Sequence, residues 1–268
     1  MLSNITIGQY FPTNSRLHKL APSIKMICSV LLIVSVFLAS TPLTVILNIV
    51  ATFSLIFASK IKITMYLKML KAIWPIVLLT AILNTLYSQG EPIASWWIFT
   101  ITYEGIYRAV LIAVRICLII LISSLLTYTT SPTQFTDGLE QLLSPLRYIG
   151  LAQAVHTLAL MMSIALRFIP ILVEEADKII SAQKARGADM ESGGLFHRVK
   201  AMLPILIPLL ISAVRRAIDL ADAMECRCYQ GGKNRTKMNH ISIKAADIIA
   251  IIVVAALLAA TIIGRILN

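Results

Sequence analysis

Charge is scarce in this 268-residue chain. Asp, Glu, Lys and Arg make up 14% of it, and the acidic kind is rarer, 13 residues against 24 basic ones. The excess of positive charge, +11, forms no stripe with interleaved aromatics, which argues against a nucleic-acid surface. Histidine is scattered, at His18, His156, His197 and His240, so no metal cluster is expected. The four cysteines, Cys28, Cys117, Cys226 and Cys228, lack paired metal spacing. Cys28 and Cys117 read as apolar core residues, and Cys226 and Cys228 as a lone Cys-x-Cys. Gly231-Gly232-Lys233-Asn234 lacks both the first glycine and the hydroxyl residue of a phosphate loop. No catalytic constellation is present, and the chain is expected to bind neither ATP nor metal itself.

What is abundant is apolar sequence: 58% hydrophobic residues and a mean hydropathy of +0.83, well above the ~45–50% of an average soluble domain. Five windows approach the ~20 residues that cross a bilayer core: residues 26–40, 43–59, 72–89, 106–129 and 245–264. Thr41 and Pro42 alone join the first two, so a tight helical hairpin is expected there. Residues 1–25 have no short apolar core with a small-residue cleavage site, so no cleavable signal is expected. Seven lysines and arginines precede residue 72 and 14 more lie between 129 and 244, whereas none occurs from 72 to 107. The basic segments should therefore face the cytoplasm. The loop near Ser88 to Glu104, with Glu91, Trp96, Trp97 and Tyr103, reads as an outer interfacial anchor.

Residues 129–244 are unusual. The stretches 151–173 and 201–214 are apolar enough to count as spans, yet each runs into a charged helix, leaving the total between five and seven. Pro170 is expected to break the first helix, Pro204 and Pro208 to start the second, and 189–194 to form a loop between them. Gly231 and Gly232 should close the second helix. The two helices repeat locally at an offset of 41 residues, which pairs Ala176 with Ala217, Ala182 with Ala223 and Arg186 with Arg227. Ile179, Ala182 and Arg186 fall on one helical stripe, as do Leu220, Ala223 and Arg227. A small residue one turn below an arginine lets another surface approach while the guanidinium reaches acidic or carbonyl groups. The plainer reading is helix punctuation, in which arginine answers the macrodipole and Gly187 caps the end.

At the same offset Glu174 and Glu175 face Arg215 and Arg216, and pairing where the helices cross is expected. Glu174 with Lys178 and Arg215 with Asp219 read as i, i+4 pairs, and Asp219, Asp222 and Glu225 as a solvated face. Arg115 lies deep in a span and needs a partner: a backbone carbonyl, Ser123 or Ser124 on its own helix, or Asn84 on a neighbour. Asn48 and Asn84 read as interhelical hydrogen bonders.

Three places together resemble the transmembrane T component of energy-coupling factor transporters, bacterial importers powered by ABC-type ATPases. They are Gly8-Gln9-Tyr10 with Leu17-His18-Lys19-Leu20 and Lys25; Arg167-Phe168-Ile169-Pro170 leading to Ala182-Gln183-Lys184-Ala185-Arg186-Gly187; and Ala223-Met224-Glu225 with Arg227 and Tyr229. The family pattern has two Ala-Arg-Gly tripeptides. The first is intact at Ala185, Arg186 and Gly187, whereas the second reads Cys226-Arg227-Cys228. An Asp-Pro-Arg element usual at the amino end is here Ala21-Pro22-Ser23.

The resemblance implies an all-α integral membrane protein with about five spans and a cytoplasmic coupling domain of long helices. Residues 1–130 would form the N-terminal membrane domain, 131–244 the coupling domain and 245–268 a last span. It implies a non-catalytic subunit of the bacterial cell membrane, with two ABC-type ATPases as partners, which bind ATP and Mg, and one small membrane-embedded S component that selects a vitamin or other micronutrient. Length and motifs lean towards the shared vitamin-importing type over a cobalt or nickel module. The ATPase-coupling residues would be Ala182, Ala185, Arg186, Gly187, Ala223, Glu225 and Arg227. Ile164, Leu166, Ile205, Leu206, Leu209 and Leu210 would offer the S component an apolar platform. The alternative is a stand-alone secondary transporter or channel, which would be expected to show repeated spans, broken midplane helices and ion-coupling acidic residues.

Overall fold

A computed structural model describes residues 10–87, 92–96, 99–188, 194–231 and 244–266. Helices carry the fold: α1 (Pro22–Leu38), α2 (Pro42–Ser59), α3 (Ile63–Tyr87), α4 (Tyr103–Thr129), α5 (Pro132–Leu143), α6 (Ala152–Ala185), α7 (Leu195–Cys226) and α8 (Ala245–Ile266). A short antiparallel ribbon, β1 (Pro92–Trp96) with β2 (Phe99–Thr102), joins α3 to α4, where a loop was expected. Its β-branched and aromatic residues suit extended backbone. Glu91 and Trp97, two of the expected anchor residues, lie outside the described residues. Tyr103 is exposed, and Glu104 reaches Arg108 one turn on at 3.9 Å.

Each of the five apolar windows lies for most of its length in a helix, α1 ending at Leu38 and α3 at Tyr87. Six helices among the described residues are long and apolar enough to cross a membrane, α6 and the Lys200–Cys226 part of α7 included, and α1 is a shorter apolar helix. The described residues divide into two compact units, one of residues 10–138 with 244–266 and the other of residues 139–231.

The first unit holds α1 to α4, the start of α5, and α8. α1 packs against α4 and α8, and α3 lies along α4. One core cluster joins Leu32, Val36, Leu118, Ile122 and Val254, and another Ile56, Ile61, Tyr66, Leu121, Leu125 and Tyr128. Several buried polar side chains find partners within the unit. The Ser35 hydroxyl donates to Asn48 Oδ1 at 2.8 Å, and the Asn48 amide donates to the Thr44 carbonyl. Asn48 thus links α1 to α2 as expected. Asn84 instead donates to the Thr80 carbonyl on its own helix, because a carbonyl one turn back is always within its reach. Arg115 takes the carbonyl option: its guanidinium donates to the Ala39 oxygen at 2.9 Å, at the free end of α1.

A second polar node draws the first unit together at the start of α1. Lys25 Nζ donates to the Thr129 carbonyl at the end of α4, at 2.9 Å, and to the His18 carbonyl at 3.1 Å. Asp247, in the first turn of α8, accepts from the Ala21 and Lys244 amides at 2.8 and 2.7 Å, so one carboxylate caps two helix starts. His18 is held by Phe11, Ser15 and Thr13, and Phe11 packs edge-on to Tyr128. The sequence reading passed over Asp247. Its signal was a lone carboxylate at the head of an apolar run.

The second unit contains α6 and α7, preceded by a 3-10 turn, Ser144–Ile149. Both long helices run unbroken through their prolines. Pro170 sits inside α6, and Pro204 and Pro208 inside α7, which starts nine residues earlier than Pro204, at Leu195. A proline removes one backbone donor, and where lipid or apolar neighbours offer the freed carbonyl no better partner, the remaining helical bonds hold. The expected loop at 189–193 lies outside the described residues, as do Gly232, Lys233 and Asn234, and α7 ends at Cys226, before Gly231.

Two outcomes test this arrangement. A Cβ on Gly138 would meet the Ser23 nitrogen at 2.9 Å and the Pro22 carbonyl carbon at 3.0 Å, backbone atoms that cannot swing away. Gly138→Ala should therefore cost about 1–3 kcal/mol, seen as a lower midpoint in thermal unfolding of the detergent-solubilised protein. Burial holds the His18 imidazole below its usual 6.5, against the opposing pull of the Phe11 carbonyl. Neutral His18 is then favoured by folding, so stability is complete above pH 6.5 and declines as pH falls from there through the native value. His18→Gln should flatten that part of the unfolding profile.

Candidate functional site

Both arginines picked out by the 41-residue offset close their helices in the same way. On α6, Arg186 is the last half-helical residue, Gly187 follows with φ 83°, its amide donates to the Lys184 carbonyl at 3.0 Å, and the Ala188 amide donates to Gln183, also at 3.0 Å. On α7, Arg227 takes the same place. Cys228 follows with φ 56°, its amide donates to Glu225 at 2.8 Å, and the Tyr229 amide donates to Met224 at 3.0 Å. These are two copies of the Schellman closure, whose turning residue is left-handed and usually glycine. Cys226-Arg227-Cys228 therefore keeps the backbone of the intact tripeptide although it loses its small residues. Cysteine here carries the strain that glycine avoids.

The proposed contact residues are open to a partner. Ala182, Ala185, Arg186 and Gly187 on one tip, and Ala223, Glu225 and Arg227 on the other, are all exposed. Asp219 and Asp222 are exposed as well, as a solvated face requires. The expected i, i+4 pairs do not form among the described residues: neither Glu174 with Lys178 nor Arg215 with Asp219 comes within ion-pair distance. In exposed positions such pairs gain too little to hold two long side chains still.

One of the two expected cross-helix pairs is made. Glu175 Oε2 accepts from Arg216 Nε at 3.1 Å and from its terminal nitrogen at 2.9 Å, while Glu175 Oε1 accepts from the Ser212 hydroxyl. Glu174 and Arg215 are exposed and make no such pair. Ser212, one turn before Arg216, was not foreseen, and its spacing from Arg216 is the only sequence trace it leaves. With Arg216 42% and Glu175 23% exposed, the ion pair is screened by solvent and adds little to stability. Its weight is geometric. Eleven residues separate Glu175 from Arg186 and Arg216 from Arg227, so each helix extends roughly 16 Å, at 1.5 Å per residue, beyond one shared fastening.

The six residues expected to form the apolar platform differ in exposure. Ile205 is 9% exposed and has little side chain left for a partner, because its position on α7 is covered within the fold. Leu206 and Leu210 are exposed, and Ile164, Leu166 and Leu209 are half-buried. Met202, Ile207, Ile211 and Val214 extend the exposed face of α7; the sequence reading omitted them. Cys226 and Cys228 are free and exposed, and no group of three or more metal-ligating side chains occurs among the described residues.

The matched closures predict opposite responses to glycine and its replacement. Cys228→Gly should relieve left-handed strain, and Gly187→Ala should introduce it, each by about 1 kcal/mol. Hydrogen–deuterium exchange of the last helical turn should slow in the first variant and quicken in the second.

A family model described as cobalt transport protein, CbiQ, matches residues 13–238. The energy-coupling factor transporter transmembrane protein EcfT of Acidaminococcus fermentans is 46% identical over 259 residues, covering 96% of this chain and 95% of its own length. The proteins of that name from Clostridium kluyveri and Bacillus subtilis are each 45% identical, over 99% and 96% of this chain and 98% of their own lengths. With the apolar helices, these matches place the chain in the family of energy-coupling factor transporter transmembrane proteins, multi-pass proteins of the bacterial membrane.

Proposed function

We propose that this chain is the mechanical link of an importer, joining two ABC-type ATPases to a small membrane-embedded S component that carries a vitamin or another micronutrient. The equal Schellman-closed tips at Arg186 and Arg227 carry this reading. Two like motor subunits call for two like docking ends, and the tips share their closure, their exposure and their distance from the Glu175–Arg216 fastening. Each guanidinium has five donors in a planar fork, suited to carboxylate and carbonyl groups in a groove. Ala182 and Ala223, one turn below, leave room for the groove wall.

In this reading ATP and Mg are bound by the partner subunits, and this chain does no chemistry. When the ATPases close, the two tips are displaced and the helices pivot about Glu175, Ser212 and Arg216. A continuous helix transmits such a displacement where a frayed one would absorb it, which makes the unbroken passage of α6 and α7 through three prolines significant. The exposed apolar face at Leu206 and Leu210 would hold the S component. The basic segments face the cytoplasm, where the ATPases reside.

Replacing Arg186 and Arg227 by Glu, singly and together, tests the reading by co-purification with the ATPases and by substrate uptake in reconstituted vesicles. The double variant should lose ATPase association; each lost charged hydrogen bond is worth about 1.5–3 kcal/mol, a factor of ten or more. Normal association of the double variant would defeat the proposal. Glu175→Gln should leave association intact and lower uptake per ATP hydrolysed, as expected of a loosened pivot.

A further inference from the structure

The first unit holds a half-open hollow of about 210 Å³, walled in part by the core residues Leu32, Ile122, Leu125 and Val254 and by none of the residues of the coupling tips. Three helices line it in register. α1 presents Lys25, Cys28, Ser29 and Leu32, and α4 presents Ile122, Leu125, Leu126 and Thr129. Each set is spaced i, i+3, i+4, i+7, one stripe of a helix. Ala250, Val253 and Val254 of α8 add a third side, and Leu17 and Leu20, ahead of α1, complete the wall with Leu55 of α2. Seven residues along α1 or α4 make the hollow about 10 Å long. Its walls are almost wholly apolar: Lys25 and Thr129 lie together at one end, and the Ser29 hydroxyl is spent on the Met26 carbonyl of its own helix.

Three observations define an occupant. First, an apolar cavity of this kind does not hold stable water, and one of about 150 Å³ already accepts benzene. The space fits a single hydrocarbon chain and is smaller than the ~300 Å³ or more of a drug-sized pocket. Second, Lys25 is 8% exposed and spends two of its three ammonium donors, on the His18 and Thr129 carbonyls. One donor is left in a group that lines the cavity. Third, the cavity has a route to lipid: Val253, in its wall, is 60% exposed, and it continues an exposed face of α8 through Ile249 and Ile252. A membrane-spanning helix with such a face meets acyl chains there.

We propose that this cavity binds the alkyl chain of an anionic amphiphile, with the chain between α1, α4 and α8 and an oxygen of the head group on the free donor of Lys25. The shared chemistry is a hydrocarbon chain with an anionic oxygen head, as found in a free fatty acid or in an anionic phospholipid. Binding would join the Lys25 node to the surrounding membrane, since the ammonium that fastens α1 to the end of α4 would also hold the ligand. The inference concerns the first unit alone and does not rest on the coupling role proposed for α6 and α7.

The experiment uses the full chain in lipid nanodiscs with two photoreactive probes tested separately, palmitate and phosphatidylglycerol, each carrying a diazirine in its acyl chain, and maps the adducts by peptide mass spectrometry. Adducts are expected on residues 25–32 and 122–129 and on Ala250 and Val254, above the level on the exposed positions Ile249 and Ile252, which report ordinary surrounding lipid. Ala250→Phe, which adds bulk at the wall without removing a core side chain, should reduce the cavity adducts by about tenfold, the loss expected when roughly two methylenes are expelled, and leave the Ile249 and Ile252 adducts unchanged. Cys28→Phe provides the same test from α1 should the α8 variant fail to fold. Labelling by palmitate alone assigns the site to fatty acid, and labelling by phosphatidylglycerol assigns it to membrane lipid; either supports the proposal. Cavity adducts no stronger than those at Ile249 and Ile252, or equal adducts in the filled variants, would overturn it.

Discussion

A hydrocarbon phase offers no hydrogen-bond partner, and this one constraint organises the polar groups of the first unit. Each helix end or charge must find its complement inside the chain. The carbonyl freed at the end of α1 is met by Arg115, the amide at its beginning by Asp247, and the carbonyl at the end of α4 by Lys25. These contacts fix where the helices start and stop relative to each other. Apolar clusters alone, interchangeable between neighbouring turns, do not fix register in this way. Ser35, Asn48 and Thr261 add a polar seam among α1, α2 and α8.

The second unit solves a different problem, the placing of two equivalent ends. A Schellman closure bonds the last carbonyls back onto the chain as it turns away, so the arginine at the tip is carried by a finished helix. That Cys226-Arg227-Cys228 forms the same closure as Ala185-Arg186-Gly187 shows what it requires. The backbone bonds are indifferent to the side chains flanking the arginine, and a left-handed cysteine is tolerated at a cost of about 1–2 kcal/mol because the two hydrogen bonds hold it. Cys228 marks a position where geometry was retained against local preference.

Much of this was legible in the chain. The apolar windows identify five helices because a membrane span needs a length and a hydropathy that periodicity does not confuse. The 41-residue offset located both tips and the Glu175–Arg216 pair, because a repeated helix places equivalent residues at equivalent heights. The prolines misled. Pro170, Pro204 and Pro208 read as boundaries by the rules of soluble helices, whereas α6 and α7 pass through them, the lost bond having no competitor in apolar surroundings. Asn84 and the i, i+4 pairs misled for a related reason: spacing shows which groups can meet and not which alternative partner is cheaper.

By itself, then, the sequence determined the membrane class, the helical content and the two arginine-ended helices, since these depend on composition and on short-range periodicity. Tertiary structure decided the partners of Arg115, Lys25 and Asp247, the burial of Ile205, and the hollow between α1, α4 and α8. Those depend on contacts between residues as far apart as Ala21 and Asp247, 226 positions along the chain. No local pattern encodes which helix face will meet which, because in a uniformly apolar helix every face satisfies the hydrophobic requirement and only packing and hydrogen bonding select one.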